Sequence, residues 1–232
     1  MKRHVLLYPL IPNSQASFLS RLYVDDGYVL PRRGSVKDPI RIAVLISGGG
    51  SGLLSLLNYQ QSNPSNHSTK LVIADNVNAG GLRHGENFNV PVTAIPLPVL
   101  IDKTQQRMVH EDHIHEMLIN YDIELVVLSG YMRILTPNFV RKWKGRLINI
   151  HPSLLPNYPG AHAHRDALAD GAEKTGCTIH LVDEGVDSGK IIFQQEVPIL
   201  AGDTIEKLQD RVKKVEHQVY PKVLDEFCSQ ES

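Results

Sequence analysis

Asn149 and His151 stand two positions apart in the run Asn149-Ile150-His151-Pro152-Ser153-Leu154-Leu155-Pro156, directly after Arg146-Leu147-Ile148. The apolar residues before Asn149 read as the end of a buried strand, and residues i and i+2 of a strand share one face. Pro152 has no N–H to give to a ladder and ends the strand. An amide and an imidazole are therefore set side by side at a strand's carboxyl end, where open α/β sheets bind ligands. A hydrogen-bond donor beside a titratable ring suits a reaction in which negative charge builds on an oxygen. The same pair reads equally as a polar cap closing a strand, so the elements around it must decide.

Those elements alternate. Arg41-Ile42-Ala43-Val44-Leu45-Ile46 is an apolar, β-branched run of the kind buried on both faces. Ser47-Gly48-Gly49-Gly50-Ser51-Gly52 follows at once, then the helical run Leu53-Leu54-Ser55-Leu56-Leu57. Strand, glycine-rich turn and helix make the layout of a phosphate cradle, although no Walker A lysine and no clean GxGxxG is present. Lys70–Ala74 and Pro91–Ile95 read as further strands, with a short helix near residues 79–88 between them. Residues 103–121 have helical spacing, with Met108, Ile114, Met117, Leu118 and Tyr121 as the apolar face. Acidic residues and His110, His113 and His115 fall on its other positions, which reads as a solvated face and not a metal site. Glu124–Ser129 is a strand running into Gly130-Tyr131-Met132-Arg133-Ile134-Leu135-Thr136-Pro137, an apolar loop that suits the wall of a pocket for a flat ligand. A helix is expected over 166–171. Thr175–Val182 and Lys190–Pro198 then read as paired strands around Asp183–Gly189, and Thr204 caps a helix from Ile205 to about Phe227. The pattern is that of a doubly wound, Rossmann-like α/β fold, mostly parallel, with a mixed C-terminal edge.

Composition narrows the class. The chain has 232 residues, 42% of them hydrophobic, enough for one large core, and 24 basic against 25 acidic side chains. That balance argues against a dedicated nucleic-acid or anionic-membrane binder and leaves room for a local basic pocket that takes a phosphorylated small-molecule substrate. No apolar run reaches the length of a membrane span. The 11 histidines form neither HExxH nor a Cys/His zinc pattern, so no metal is expected. Cys177 and Cys228 make no disulfide framework, and a reducing, cytoplasmic setting is the expectation. Residues 1–39 lack periodicity and end in Leu30-Pro31-Arg32-Arg33-Gly34-Ser35-Val36-Lys37-Asp38-Pro39. They read as a flexible or loosely docked extension before a domain spanning 40–232. Nothing in the sequence chooses between a monomer and a homodimer.

Taken together, Ile46-Ser47-Gly48-x-Gly50-Ser51, Gly130-Tyr131-Met132-Arg133-Ile134-Leu135, the Asn149–Pro156 block, Tyr158-Pro159-Gly160-x-His162-x-His164, Val182-Asp183-Glu184-x-Val186-Asp187-x-Gly189 and Glu216-His217 resemble the phosphoribosylglycinamide formyltransferases over about residues 41–226. The resemblance implies a reaction. The amine of glycinamide ribonucleotide takes the formyl group of 10-formyltetrahydrofolate through a tetrahedral oxyanion, in purine biosynthesis, with no metal. It also implies roles. Asn149 would donate to the oxyanion, and His151 would stabilise it and supply a proton. Asp187 would be the carboxylate that favours the charged imidazole. Gly50, Ser51 and Gly52 would hold the phosphate, with Lys213 and Glu216 closing that end and Glu216 accepting from ribose hydroxyls. Met132, Arg133, Ile134 and Leu135 would line the folate pocket with the backbone of Asp183, Glu184 and Asp187, and Arg107 would face the folate's glutamate tail.

Two departures stand out. The family's turn usually carries Asn where Gly52 stands, so one side-chain donor is missing near the phosphate, and the family gives no role to the N-terminal extension. The nearest alternative is formyltetrahydrofolate deformylase, a hydrolase with the same Asn/His/Asp core. It usually carries a longer regulatory domain before that core and a second His where Pro152 stands.

Overall fold

The structure is a computed structural model that describes residues 27–229. Seven strands form one sheet: β1 (Ile40–Ile46), β2 (His67–Ala74), β3 (Val92–Ala94), β4 (Leu125–Leu128), β5 (Leu147–His151), β6 (Lys174–Leu181) and β7 (Ile191–Pro198). Their spatial order is β3-β2-β1-β4-β5-β6-β7. The first five run parallel, whereas β6 is antiparallel to β5 and β7 antiparallel to β6. The expected doubly wound sheet with a mixed C-terminal edge is therefore the one observed. From β1 the chain builds outward through β2 and β3, then returns to place β4 on the other side of β1. The switch point lies between β1 and β4, and the crevice at their carboxyl ends receives the glycine turn and the Gly130–Leu135 loop.

Strand period assigns the two faces. Ile40, Ile42, Val44 and Ile46 of β1 pack with Leu53, Leu56 and Leu57 of helix α1 (Ser51–Ser62) and with Tyr220, Val223, Leu224 and Phe227 of helix α6 (Ile205–Ser229). Ala43 and Leu45 turn the other way, toward Ile114 and Leu118 of α3 (Lys103–Asn120) and Phe139 and Val140 of α4 (Pro137–Lys142). Helices α2 (Leu82–Asn87) and α5 (Ala163–Ala169) complete the fold, α5 beginning three residues before the expected position.

Two readings of the sequence need correction. The buried side of α3 is His110, Glu111, Ile114 and Leu118, whereas Met108 is 43% exposed. His110 is thus no surface residue: its Nε2 lies 3.0 Å from the Tyr131 hydroxyl, and burial lowers its pKa and keeps it neutral. Glu111 is buried because it receives Thr136, through both the backbone N–H (2.8 Å) and the hydroxyl. Polar residues pass for a solvated face in a sequence, and here their partners lie in the loop after β4. Helix α4 also went unanticipated, though Thr136-Pro137 is an N-cap followed by a first-turn proline.

Pro221 lies inside α6 and lacks the N–H that His217 O would accept in an unbroken helix. Ser55 of α1 donates to that carbonyl at 2.6 Å, so the gap becomes a bond between helices. The Tyr220 hydroxyl donates to Leu128 O at 3.0 Å, fixing α6 to the end of β4.

Residues 27–39 run along the domain. Val29 N donates to Lys144 O (3.1 Å) and Gly34 N to Cys228 O (2.7 Å), while Tyr28 and Leu30 pack against the core. Arg32 Nε pairs with Glu124 Oε1 at 2.6 Å, and Glu124 Oε2 accepts from Arg41 N at 2.9 Å. Residues 1–26 of the N-terminal segment lie outside the described residues.

Candidate active site

A cavity of about 590 Å³ opens along the carboxyl ends of β1, β4 and β5. One end is the glycine turn. Gly50 has φ +67°, and α1 begins at the next residue with no side-chain cap, so the N–H groups of its first turn are free to point at an anion. The turn is braced from behind: Gly81 N donates to Gly48 O at 3.0 Å, and a Cβ on Gly50 would come 2.7 Å from Gly81 Cα. Lys213 and Glu216 line this end from α6. Burial pushes the Glu216 carboxyl up to about 7, with Lys213 pulling the other way. His217 Nε2 lies 3.1 Å from Ser51 Oγ.

The other end is apolar. Met132, Arg133, Ile134 and Leu135 line it with Val182, Asp183, Gly185 and Val186. Met132 N donates to Ser47 Oγ (2.8 Å) and Ser47 N to Gly130 O (3.2 Å), so the loop after β4 is tied to the turn after β1. Arg133 Nε pairs with the buried Asp75 at 2.5 Å. Arg107 does not line the cavity, and its guanidinium donates to Ile134 O at 2.7 Å. The Glu184 side chain likewise turns away, pairing with Arg141 at 3.1 Å.

Between the two ends sit Asn149, His151 and Asp187. His151 is 4% exposed, its Nδ1 lies 3.3 Å from Asp187 Oδ2, and its Nε2 lies 2.9 Å from Tyr158 O. Both ring nitrogens face oxygen acceptors. Asp187 adopts φ +52° and also accepts from Gly160 N at 2.8 Å, which ties the loop after β5 to the turn between β6 and β7. The amide nitrogen of Asn149 lies 3.2 Å from His180 Nε2 and 3.5 Å from Asp187 Oδ1.

His180 was not singled out in the sequence. It faces Asn149 across the β5–β6 ladder and is 1% exposed. Burial lowers its pKa, and its Nδ1 donates to Leu181 O at 2.9 Å, leaving Nε2 as an acceptor for the amide. The alternation of β6 gives its face, but its partner follows from strand register. His164 also lines the cavity, neutral through burial and the nearby Lys213. Chemically, the arrangement offers an anion site, an apolar slot, and between them two donors backed by a carboxylate. Among the described residues no group of His, Cys, Asp and Glu is placed to hold a metal ion, and no helix is long and apolar enough to cross a membrane.

Known proteins share this architecture. The formyl transferase family matches residues 40–224. The phosphoribosylglycinamide formyltransferase of Escherichia coli (strain K12) is 36% identical over 82% of this chain and 87% of its own length. The glycinamide ribonucleotide transformylase 1 structure from Symbiobacterium toebii superposes with a TM-score of 0.77 at 37% identity, covering 82% of this chain and 88% of that one. The trifunctional purine biosynthetic protein adenosine-3 of Gallus gallus is 38% identical over 99% of this chain, which spans only 22% of that larger protein. With the expected fold in place, these similarities make the chain a member of the formyl transferase family, in the group of the phosphoribosylglycinamide formyltransferases.

Proposed function

We propose that this protein transfers the formyl group of 10-formyltetrahydrofolate to the amine of glycinamide ribonucleotide, a step of purine biosynthesis. The observation that carries the reading is one continuous cavity with an anion-binding helix start at one end, an apolar loop at the other, and Asn149, His151 and Asp187 at their junction. Its ends fit a phosphorylated ribose and a flat pterin ring, which orients the two substrates so that amine and formyl carbon meet beside Asn149.

As the amine nitrogen bonds to the formyl carbon, the carbonyl electron pair moves to oxygen. The Asn149 amide hydrogen that reaches Asp187 Oδ1 only at 3.5 Å is weakly engaged and free to be taken by that oxygen. A single preorganised donor of this kind is worth about 10²–10³ in rate. His151, held by Asp187, stabilises the same charge. Collapse breaks the bond from carbon to the folate nitrogen, which takes up a proton as the incoming amine loses one. His180 keeps the Asn149 amide turned so that its nitrogen, not its oxygen, faces this group.

Glu216 is suited to accept from ribose hydroxyls once ionised, and Lys213 to offset phosphate charge. Arg107, which donates to Ile134 O, supports the folate loop from outside the cavity. The Asp183–Asp187 backbone, with Glu184 turned outward, forms the opposite wall of the folate slot. A cytoplasmic setting agrees with two cysteines that are both free and buried.

The test is an assay of purified protein with both substrates. Release of tetrahydrofolate is expected only when glycinamide ribonucleotide is present. Equal release without it would make the protein a hydrolase instead.

A further inference from the structure

Gly52 is the second residue of α1, and a Cβ built on it would lie 2.5 Å from the hydroxyl oxygen of Ser129. That separation is well inside van der Waals contact, so a side chain at 52 and the Ser129 hydroxyl compete for one volume. Ser129 directly follows β4. Its backbone N–H is bonded to Leu45 O at 3.0 Å, and the residue is 8% exposed, so rotation of its hydroxyl about χ1 is the freedom it has left. Both residues line the cavity, beside Gly50, Ser51, Lys213 and Glu216. Among the described residues no hydrogen bond engages the Ser129 hydroxyl. The hydroxyl of this mostly buried residue has no protein partner among them and opens on the ligand cavity, which leaves it available to a ligand.

We propose that Ser129 is a further ribonucleotide-binding residue, whose hydroxyl donates a hydrogen bond to the phosphorylated ribose, and that glycine at position 52 is what leaves it room to do so. The departure at Gly52 is then no loss of a donor. The donor has moved from the helix to the facing strand end. The geometry points to the substrate that benefits, because the Ser129 hydroxyl faces Gly52 in the first turn of α1, where free N–H groups point. A hydroxyl donating to a charged phosphate contributes about 1.5–3 kcal/mol, so its removal is expected to weaken that substrate roughly tenfold or more.

The inference rests on the formyl-transfer reading, and the experiment separates the two. Steady-state kinetics are measured for wild type, Ser129→Ala, Gly52→Ala and the double variant, with 10-formyltetrahydrofolate and glycinamide ribonucleotide varied in turn. Ser129→Ala is expected to raise the KM for the ribonucleotide roughly tenfold, with kcat and the folate KM unchanged. Gly52→Ala is favourable to the helix itself, and is expected to reproduce that rise by turning the Ser129 hydroxyl out of place. In the double variant the new methyl meets no hydroxyl, so the KM is expected to be no worse than in Ser129→Ala alone, a non-additivity that reports a shared cause. An unchanged ribonucleotide KM in Ser129→Ala, a folate KM that rises equally, or single effects that multiply in the double variant would each overturn the proposal while leaving the formyl-transfer reading intact. Wild-type turnover that ignores the ribonucleotide would overturn that reading, and Ser129's role with it.

Discussion

The Asn149 amide nitrogen points at Nε2 of His180, 3.2 Å away across the β5–β6 ladder. Since His180 donates from Nδ1 to Leu181 O and is kept neutral by burial, its free lone pair selects which end of the amide faces it. His180→Ala should therefore release the amide to flip. The expected result is a fall in kcat of roughly tenfold or more, part of the effect of losing one oriented donor, with both KM values little changed. The lost ring also leaves a small void, so a lower Tm should accompany it. A kcat at the wild-type level would show that the amide is oriented by something else.

Asp187 joins three parts of the site: His151, Asn149 and the Gly160 backbone. Asp187→Asn keeps an oxygen for Gly160 N, so the loop should hold its place, but the charge beside the imidazole is gone. Activity should drop by about two orders of magnitude or more, while folate affinity, measured by equilibrium titration, stays within a few-fold of wild type. Loss of folate binding in parallel would indicate that the carboxylate organises the pocket instead.

Glu216 gives a pH dependence with a definite sign. Its carboxyl is raised from 4.5 to about 7 by burial. The folded protein therefore keeps a proton that the unfolded chain has lost, and stability conferred below pH 4.5 is given up as pH rises to about 7. Ribose hydroxyls need the ionised form, so the KM for the ribonucleotide should climb as pH falls below about 7. Glu216→Gln should flatten both trends. Thermal melts and KM values between pH 5 and pH 8 check this together, and a ribonucleotide KM indifferent to pH in the wild type would contradict it.

Arg32 lies far from the chemistry, yet it joins the 27–39 segment to Glu124 and, through the same carboxylate, to the start of β1. Arg32→Ala leaves Glu124 with Arg41 alone. The expected cost is about 1.5–3 kcal/mol of stability, the range for a hydrogen bond to a charged group, with kcat and both KM values unchanged. Denaturant unfolding measures the first and the formyl-transfer assay the second.

The sheet was legible in the sequence because its central strands are short apolar runs between turn residues, and because strand period alone puts Asn149 and His151 on one face. Period says nothing about register. Hence His180 stayed hidden, although it lies directly opposite Asn149 in the ladder. Long-range polar pairs were equally out of reach: Glu111 with Thr136 and Arg133 with Asp75 each join segments whose approach depends on the whole fold. Helix α3 was misread on its buried side for the same reason, since a histidine and a glutamate inside a protein look no different in sequence from solvated ones. Asp187 came from family resemblance, because no spacing rule brings it to His151. Gly52 could be noted as a departure, but only the position of Ser129 gives it a physical meaning.

The two cysteines are a further resource. Burial pushes both thiols well up, and neither is accessible in the folded protein. They sit under different parts of it: Cys177 between β6 and α6 in the cluster of Val197, Leu208 and Val212, and Cys228 where Gly34 of the N-terminal segment donates to its carbonyl. A thiol reagent should therefore find neither until something opens. Modification at Cys228 would time the loosening of the end of α6 from the core, and modification at Cys177 the parting of the C-terminal edge, so the chain carries two native clocks for separate openings without a single added label.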